Sequence, residues 1–103
     1  MDVIAECMKM TSFGGQAKSL AMRAIKDARQ GDQAAADKDL EEAQLYLDQS
    51  HEAHTVILTA TAATDEENPT PVTFFMVHAA NHLSSADTVL LLARELVHLY
   101  KKE

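Results

Sequence analysis

The 103-residue sequence contains only one cysteine, Cys7, so it cannot form an internal disulfide. The residues around Cys7 also lack the spacing of a metal-binding cysteine cluster. A chain without disulfides suits a reducing compartment. We therefore expect a cytoplasmic protein in which Cys7 is a small buried hydrophobic residue.

Basic residues and long apolar runs are scarce as well. Nine lysines and arginines face 16 aspartates and glutamates, which gives a net charge of −7 that a phosphate backbone or an anionic membrane would repel. The longest apolar runs, such as 89–93, are far shorter than the roughly 20 residues that cross a bilayer. The N-terminus has no basic segment followed by an apolar one. These absences predict a soluble, unexported protein with no nucleic acid partner and no direct membrane insertion.

Helix-breaking residues are few, with three glycines and two prolines, and they mark two interruptions. Gly31 followed by Asp32 is typical of a helix end and the N-cap of the next helix. The polar stretch 64–72 predicts a loop in which Thr70 is an N-cap and Pro71 the first helical residue. The chain length indicates a single domain, 1–103. The predicted helices, each about 45 Å long, are 3–30, 33–63 and 71–101.

Apolar and small residues recur at alternating spacings of three and four, which is typical of helices packed at small crossing angles. In the first helix the series is Val3, Cys7, Met10, Gly14, Ala17, Ala21, Ala24 and Ala28. In the third it is Val72, Met76, Ala79, Leu83, Ala86, Leu90, Ala93, Val97 and Tyr100. In the second it is Leu40, Ala43, Leu47, Ser50, His54, Ile57 and Thr61. With short connections, the pattern predicts an all-α, antiparallel three-helix bundle.

The third predicted helix carries a second stripe, which also contains two histidines. Its members are Phe75, His78, His82, Ser85, Val89, Leu92, Leu96 and Leu99. A helix that is apolar over so much of its circumference is usually buried on more than one side. We therefore expect self-association into a closed symmetric oligomer. The charged run 37–42 is interpreted as the solvated face of the second helix, and His98 as a favourable cation near a helix C-terminus.

His78 and His82 lie one helical turn apart and permit three interpretations. In the first, they are structural histidines satisfied by hydrogen bonds. In the second, they bind a metal ion whose remaining ligands are His51, His54 or carboxylates of the second helix. The metal interpretation lacks the HExxH and Glu-x-x-His patterns of known helical metal sites.

The third interpretation is nucleophilic catalysis, in which an imidazole nitrogen accepts a phosphoryl group. A phosphoryl carrier needs a semi-exposed ring, an orienting neighbour and hydrogen-bond donors for the phosphate, but no deep pocket. His82 is suited to orient His78, and Ser84 or Ser85 to add a donor. Apolar surroundings would slow hydrolysis of the N–P bond.

Four segments together resemble the lactose/cellobiose-type enzyme IIA proteins of the bacterial sugar phosphotransferase system (PTS). They are GGQAKSLAMRAIKDARQGD at 14–32, HEAHTVIL at 51–58, MVHAANHLSSA at 76–86 and the ending ELVHLYKK at 95–102. The resemblance covers nearly the whole chain and implies a three-helix protomer in a homotrimer, a nine-helix bundle. It also implies that the protein accepts a phosphoryl group from HPr and passes it to a cysteine of the cognate IIB, which works with the membrane component IIC.

Residue by residue, the resemblance places the phosphorylated histidine of the family's HAQDHL motif on His78 and the assisting histidine on His82. The sugar it implies is a β-linked disaccharide: lactose, cellobiose or diacetylchitobiose. Gly14, Gly15 and Ala17 would leave room beside the histidine pair.

This sequence departs from the family motif at two positions between the histidines. Ala80 replaces a glutamine near the active site, and Asn81 replaces an aspartate that, in the family, points to the threefold axis and binds a metal ion. We therefore expect the trimer to persist, no cofactor to be needed, and any axial Mg²⁺ to be weakened or lost. In the segment of the first helix that resembles the family, Lys18 is the nearest candidate cation for holding phosphate. The alternatives are a non-catalytic trimeric interaction relative and a metal-binding helical bundle.

Overall fold

The computed structural model of the chain describes residues 2–63, 67 and 69–101. They form three α-helices: α1 (Val3–Arg29), α2 (Gln33–Ala62) and α3 (Phe74–Tyr100). The bundle is elongated, with extents of 60 × 18 × 18 Å. The all-α prediction is confirmed, and both boundaries between α1 and α2 agree with the sequence analysis to within one residue.

Local chemistry explains the turn between α1 and α2. Gly31 adopts a φ of +90°, a left-handed conformation that glycine enters without the steric cost of a Cβ. The amide of Gly31 donates to the Ala28 carbonyl at 3.0 Å, and that of Asp32 donates to the Asp27 carbonyl at 2.9 Å. These bonds cap the last turn of α1. The Asp32 carboxylate then accepts from the Ala35 amide at 3.1 Å and starts α2.

The predicted start of α3 was wrong. The structure begins this helix at Phe74, with Thr73 as the N-cap, whereas the sequence analysis chose Thr70 and Pro71. The Thr73 hydroxyl accepts a hydrogen bond from the Met76 amide at 3.2 Å, and Pro71 lies in the non-helical connection, where its fixed φ also fits. Within the predicted loop 64–72, residues 64–66 and 68 lie outside the described residues.

The core is a single seam of small and medium side chains. Along α1 and α3 the predicted series is buried except near its ends, where Val3 and Met76 are half-buried and Val72 and Tyr100 are exposed. The alanines of these series are almost fully buried, so the helix axes approach closely. Cys7 lies in this core with its pKa raised, mainly by burial and secondarily by the charge of Glu6.

The direction of the helices decides which residues meet at the site. Gly14 lies beside the His82 backbone, and Lys18 contacts Ser85, so residue numbers rise together along α1 and α3. These two helices are therefore parallel, and α2 runs antiparallel to both. α1 packs extensively against both other helices, whereas α2 and α3 contact each other much less.

Candidate functional site

Two imidazoles form the centre of the candidate site on the exposed side of α3. His78 is exposed and His82 is half-buried. Their Nε2 atoms are 3.2 Å apart, and their rings meet edge to face with centroids separated by 4.6 Å. One nitrogen of this contact donates its hydrogen and the other accepts with its lone pair. The spacing of four residues stacks the two side chains on one helix face, as predicted.

A phenyl ring contacts the other side of the His78 imidazole. Phe74, four residues earlier, lies with its ring centroid 5.8 Å from that of His78 and its plane tilted by 19°. This stack was not predicted from the sequence. The signal that could have found it is the same four-residue spacing that joins the two histidines.

Lys18 brings a positive charge from α1 to the histidine side of α3. Its Nζ donates a hydrogen bond of 2.9 Å to the hydroxyl of Ser85, which follows His82 by three residues on the same face. Of the two serines considered from the sequence, Ser85 is therefore on the α1 side, while Ser84 is exposed.

Gly14 lies on the face of α1 that packs against the His82 backbone. A Cβ at this position would lie 3.5 Å from the His82 carbonyl oxygen and 3.5 Å from the Ser50 hydroxyl, at the junction of all three helices. Ser50 in turn donates to the Met10 carbonyl at 2.8 Å and is fully buried. The distances at Gly14 are those of ordinary van der Waals contact, so a Cβ would pack against the His82 backbone there, whereas a Cβ on Gly15 would meet no described atom within 4 Å.

The other candidate ligands do not join the histidine pair. His51 Nε2 pairs with the Asp87 carboxylate at 2.8 Å. Asp87 lies about 140° around α3 from His82, on the side that faces α2. His54 is half-buried on α2. Within residues 2–63, 67 and 69–101, no group of three or more His, Cys, Asp or Glu side chains is placed to hold a metal ion.

Asn81 is exposed on α3 where the family resemblance implies an axial carboxylate. Mg²⁺ prefers carboxylate and water oxygens in a strict octahedron. A neutral amide offers neither the charge nor the pair of carboxylate oxygens, so the donor chemistry of this position does not fit a tightly held Mg²⁺.

Together the fold and the site define a class: an all-α bundle that presents a histidine pair on an exposed helix face, with a lysine of α1 on the same side of that helix. None of the described helices combines the length and the apolar character that a membrane crossing requires.

Comparisons with known proteins identify the family. The sequence model of the PTS lactose/cellobiose-specific IIA subunit matches residues 5–101. The lichenan-specific phosphotransferase enzyme IIA component of Bacillus subtilis (strain 168) is 38% identical over 89 residues, which are 86% of this chain and 78% of that protein. The chain belongs to the lactose/cellobiose-specific IIA family, and is thus an enzyme IIA, a phosphotransferase component of a sugar PTS.

Solved structures agree with this assignment. The crystal structure of the PTS cellobiose-specific enzyme IIA from Bacillus anthracis superposes with a TM-score of 0.86 at 29% identity, covering 97% of this chain and 89% of that one. The solution structure of the IIA(chitobiose)–HPr complex of Escherichia coli contains a similar chain, with a TM-score of 0.76, 32% identity, and 97% and 94% of the two chains covered.

Proposed function

We propose that this protein is a cytoplasmic phosphoryl carrier that accepts phosphate from phospho-HPr on His78 and passes it to a cysteine of the cognate IIB. The transfer would serve uptake, through IIC, of a β-linked disaccharide such as lactose, cellobiose or diacetylchitobiose. One observation carries the proposal: His78 is exposed while its Nε2 is 3.2 Å from that of His82. The similarity to a IIA that forms a complex with HPr supports the donor.

The chemistry assigns a separate role to each imidazole. The lone pair of His78 Nε2 attacks phosphorus, the N–P bond to the donor histidine breaks, and its electron pair returns to the donor ring. Nε2 is the ring nitrogen farther from the backbone and thus the more accessible one to a docking protein. The phosphoryl group then takes the place of the direct contact with His82, whose Nε2–H donates to a phosphoryl oxygen. In the second transfer, the IIB thiolate attacks phosphorus and His78 Nε2 recovers the electron pair.

Lys18 offers a cation on the histidine side of α3, where its Nζ donates to Ser85. The chain carries a net charge of −7, so a phosphoryl group on His78 adds negative charge to an already acidic protein. The Lys18 ammonium is held on the same side of α3 by Ser85 and offsets part of this charge. Partner residues supply the rest at the moment of transfer, which depends on in-line positioning and charge stabilisation.

The working assembly is a homotrimer, in which copies of this chain cover the apolar residues that α3 leaves exposed. Leu91, Leu92 and Leu99 are 68%, 57% and 76% exposed in the single chain. Several large exposed apolar side chains on one helix are typical of an interaction surface, and the IIA family implies the trimer. The proposed transfer uses two imidazoles and a thiolate and has no step through a metal.

The test is to mix the purified protein with phospho-HPr and measure its intact mass. We expect a gain of about 80 Da, one phosphoryl group on a nucleophilic side chain. The gain should disappear in His78→Ala. It should persist in His51→Ala, a control that removes an exposed histidine paired with Asp87. Addition of the reduced cognate IIB should then return the protein to its original mass.

Two results would overturn the proposal. If the mass does not increase, the alternative is favoured: a trimeric relative of the family that binds partners but does not transfer phosphate. The departures from the family motif at Ala80 and Asn81 are consistent with that alternative. No mass gain together with a metal that copurifies in a fixed ratio and a loss of stability under a chelator would favour the metal-binding bundle.

A further inference from the structure

Phe74 occupies an unusual position for a large apolar side chain. It is the first residue of α3, it is 80% exposed, and it stacks on the imidazole of His78. His82 contacts the same imidazole from the opposite direction along the helix. The ring of His78 is therefore held between a phenyl face and a second imidazole, each four residues away.

The local structure at the start of α3 fixes this contact. Helical side chains lean toward the N-terminus, so His78 leans toward Phe74 and His82 leans toward His78. The cap formed by Thr73 and the Met76 amide fixes the turn from which Phe74 projects. Phe75 lies about 100° from Phe74 around the helix and on the other side of His78; it is 54% exposed, and among the described residues it stacks on no ring.

We propose that Phe74 is a positioning residue for phosphoryl transfer, an inference that rests on the proposed function of His78. Its ring fixes the plane of the His78 imidazole, so that Nε2 stays directed at His82 and toward the docking partner. It also covers one side of the imidazole after phosphorylation. There it limits the approach of water, whose oxygen would attack phosphorus, break the N–P bond and return the electron pair to Nε2.

The experiment compares Phe74→Ala, Phe74→Tyr and the control Phe75→Ala with the wild-type chain. Each protein is phosphorylated by phospho-HPr, separated from the donor, and followed by mass as the phosphohistidine hydrolyses. We expect Phe74→Ala to hydrolyse about three- to tenfold faster, the range that one stacked aromatic pair supports. Phe74→Tyr keeps the stack and should restore the wild-type rate, and Phe75→Ala should not change it. Because Phe74 is exposed, the variant loses little core packing.

A second measurement does not depend on phosphorylation. The ring current of Phe74 should displace the NMR signals of the His78 ring protons in the free protein, and Phe74→Ala should move those signals while Phe75→Ala leaves them in place. Unchanged signals in Phe74→Ala, or a hydrolysis rate equal to that of the wild type, would overturn the inference. If the wild type shows the ring current but accepts no phosphoryl group, the proposed function fails instead.

Discussion

Asp39 carries a negative charge into the contact between α1 and α2, where only 4% of the residue is exposed. Arg23 donates hydrogen bonds of 2.8 and 3.1 Å to Oδ1, and among the described residues the buried Oδ2 has no hydrogen-bond donor while Asp27 is ionised. Burial raises the pKa of Asp39, but hydrogen bonds from Arg23 and Asp27 and the Arg23 charge outweigh it and leave the pKa below its usual value. The pKa of Asp27 is raised, first by its hydrogen bond to Asp39.

These opposite pKa shifts predict how Asp27→Asn changes stability. The raised pKa of Asp27 gives stability that is complete below its unfolded-state pKa and is lost as the pH rises through its folded-state pKa. The lowered pKa of Asp39 gives stability that is present above its unfolded-state pKa and is lost as the pH falls through its folded-state pKa. Asparagine donates at every pH, so we expect a higher urea midpoint than wild type at neutral pH.

The wild type should approach the Asp27→Asn variant on mild acidification, as Asp27 takes up its proton. Urea unfolding at several pH values checks this expectation, with Asp37→Asn as a control on the exposed face of α2. If the urea midpoint of Asp27→Asn at neutral pH is at or below the wild-type value, residue 27 does not donate a stabilising hydrogen bond to Asp39.

His82 permits a prediction about the transfer itself. Replacing it with alanine removes the contact at 3.2 Å with His78 and, under the proposed function, the donor to the phosphoryl group. We expect His82→Ala to accept phosphate about 100-fold more slowly, the cost of one well-placed donor in the transition state. His82→Gln retains an N–H donor and should fall between alanine and histidine. Quenched-flow phosphorylation by phospho-HPr measures the rates; equal rates in all three proteins would refute an assisting role.

In the helices, the regularly spaced apolar positions were predictable from the sequence. The contacts of single side chains that depart from this spacing were not. The seams of α1 and α3 follow from uninterrupted spacings of three and four, which also placed His78 and His82 on one face. The solvated interpretation of the whole run 37–42 was wrong, because Asp39 follows the buried Ala36 by three residues and lies on the core side. The Phe74 stack depends on side-chain rotamers, which the spacing allows but does not specify.

The start of α3 provides a test of element stability. Two threonines precede this helix, and only three-dimensional structure decides that Thr73 accepts the Met76 amide. We expect Thr73→Ala to lower the free energy of unfolding by about 1 kcal/mol, the usual cost of losing an N-cap, and Thr73→Ser to retain most of it. Urea denaturation followed by circular dichroism measures both. An unchanged midpoint in Thr73→Ala would mean that another residue caps α3.

At the scale of the whole molecule, the weak contact between α2 and α3 and the exposed leucines of α3 leave the single chain with an incomplete apolar interior. We expect sedimentation equilibrium to give three times the 11.3 kDa mass of one chain. Leu92→Glu should shift the protein toward monomers, because burying the exposed 57% of Leu92 stabilises the interface by about 1 to 2 kcal/mol per copy and an unpaired carboxylate opposes burial. Leu45→Glu, a leucine 62% exposed on α2, is the matched control. A wild-type monomer would refute the trimer.

The family resemblance places Asn81 on the axis of the proposed trimer. Three amides can hydrogen-bond to one another without a counter-ion, so we expect elemental analysis of the wild-type trimer to find no divalent ion in a fixed ratio and a chelator to leave its mass unchanged. Asn81→Asp brings three carboxylates together, and their repulsion favours a bound divalent cation. The Asn81→Asp trimer should retain about one ion and dissociate under a chelator. The Asn81→Ala trimer should retain no ion and stay assembled under a chelator. A tightly held ion in the wild type would show that the amide is sufficient as a ligand.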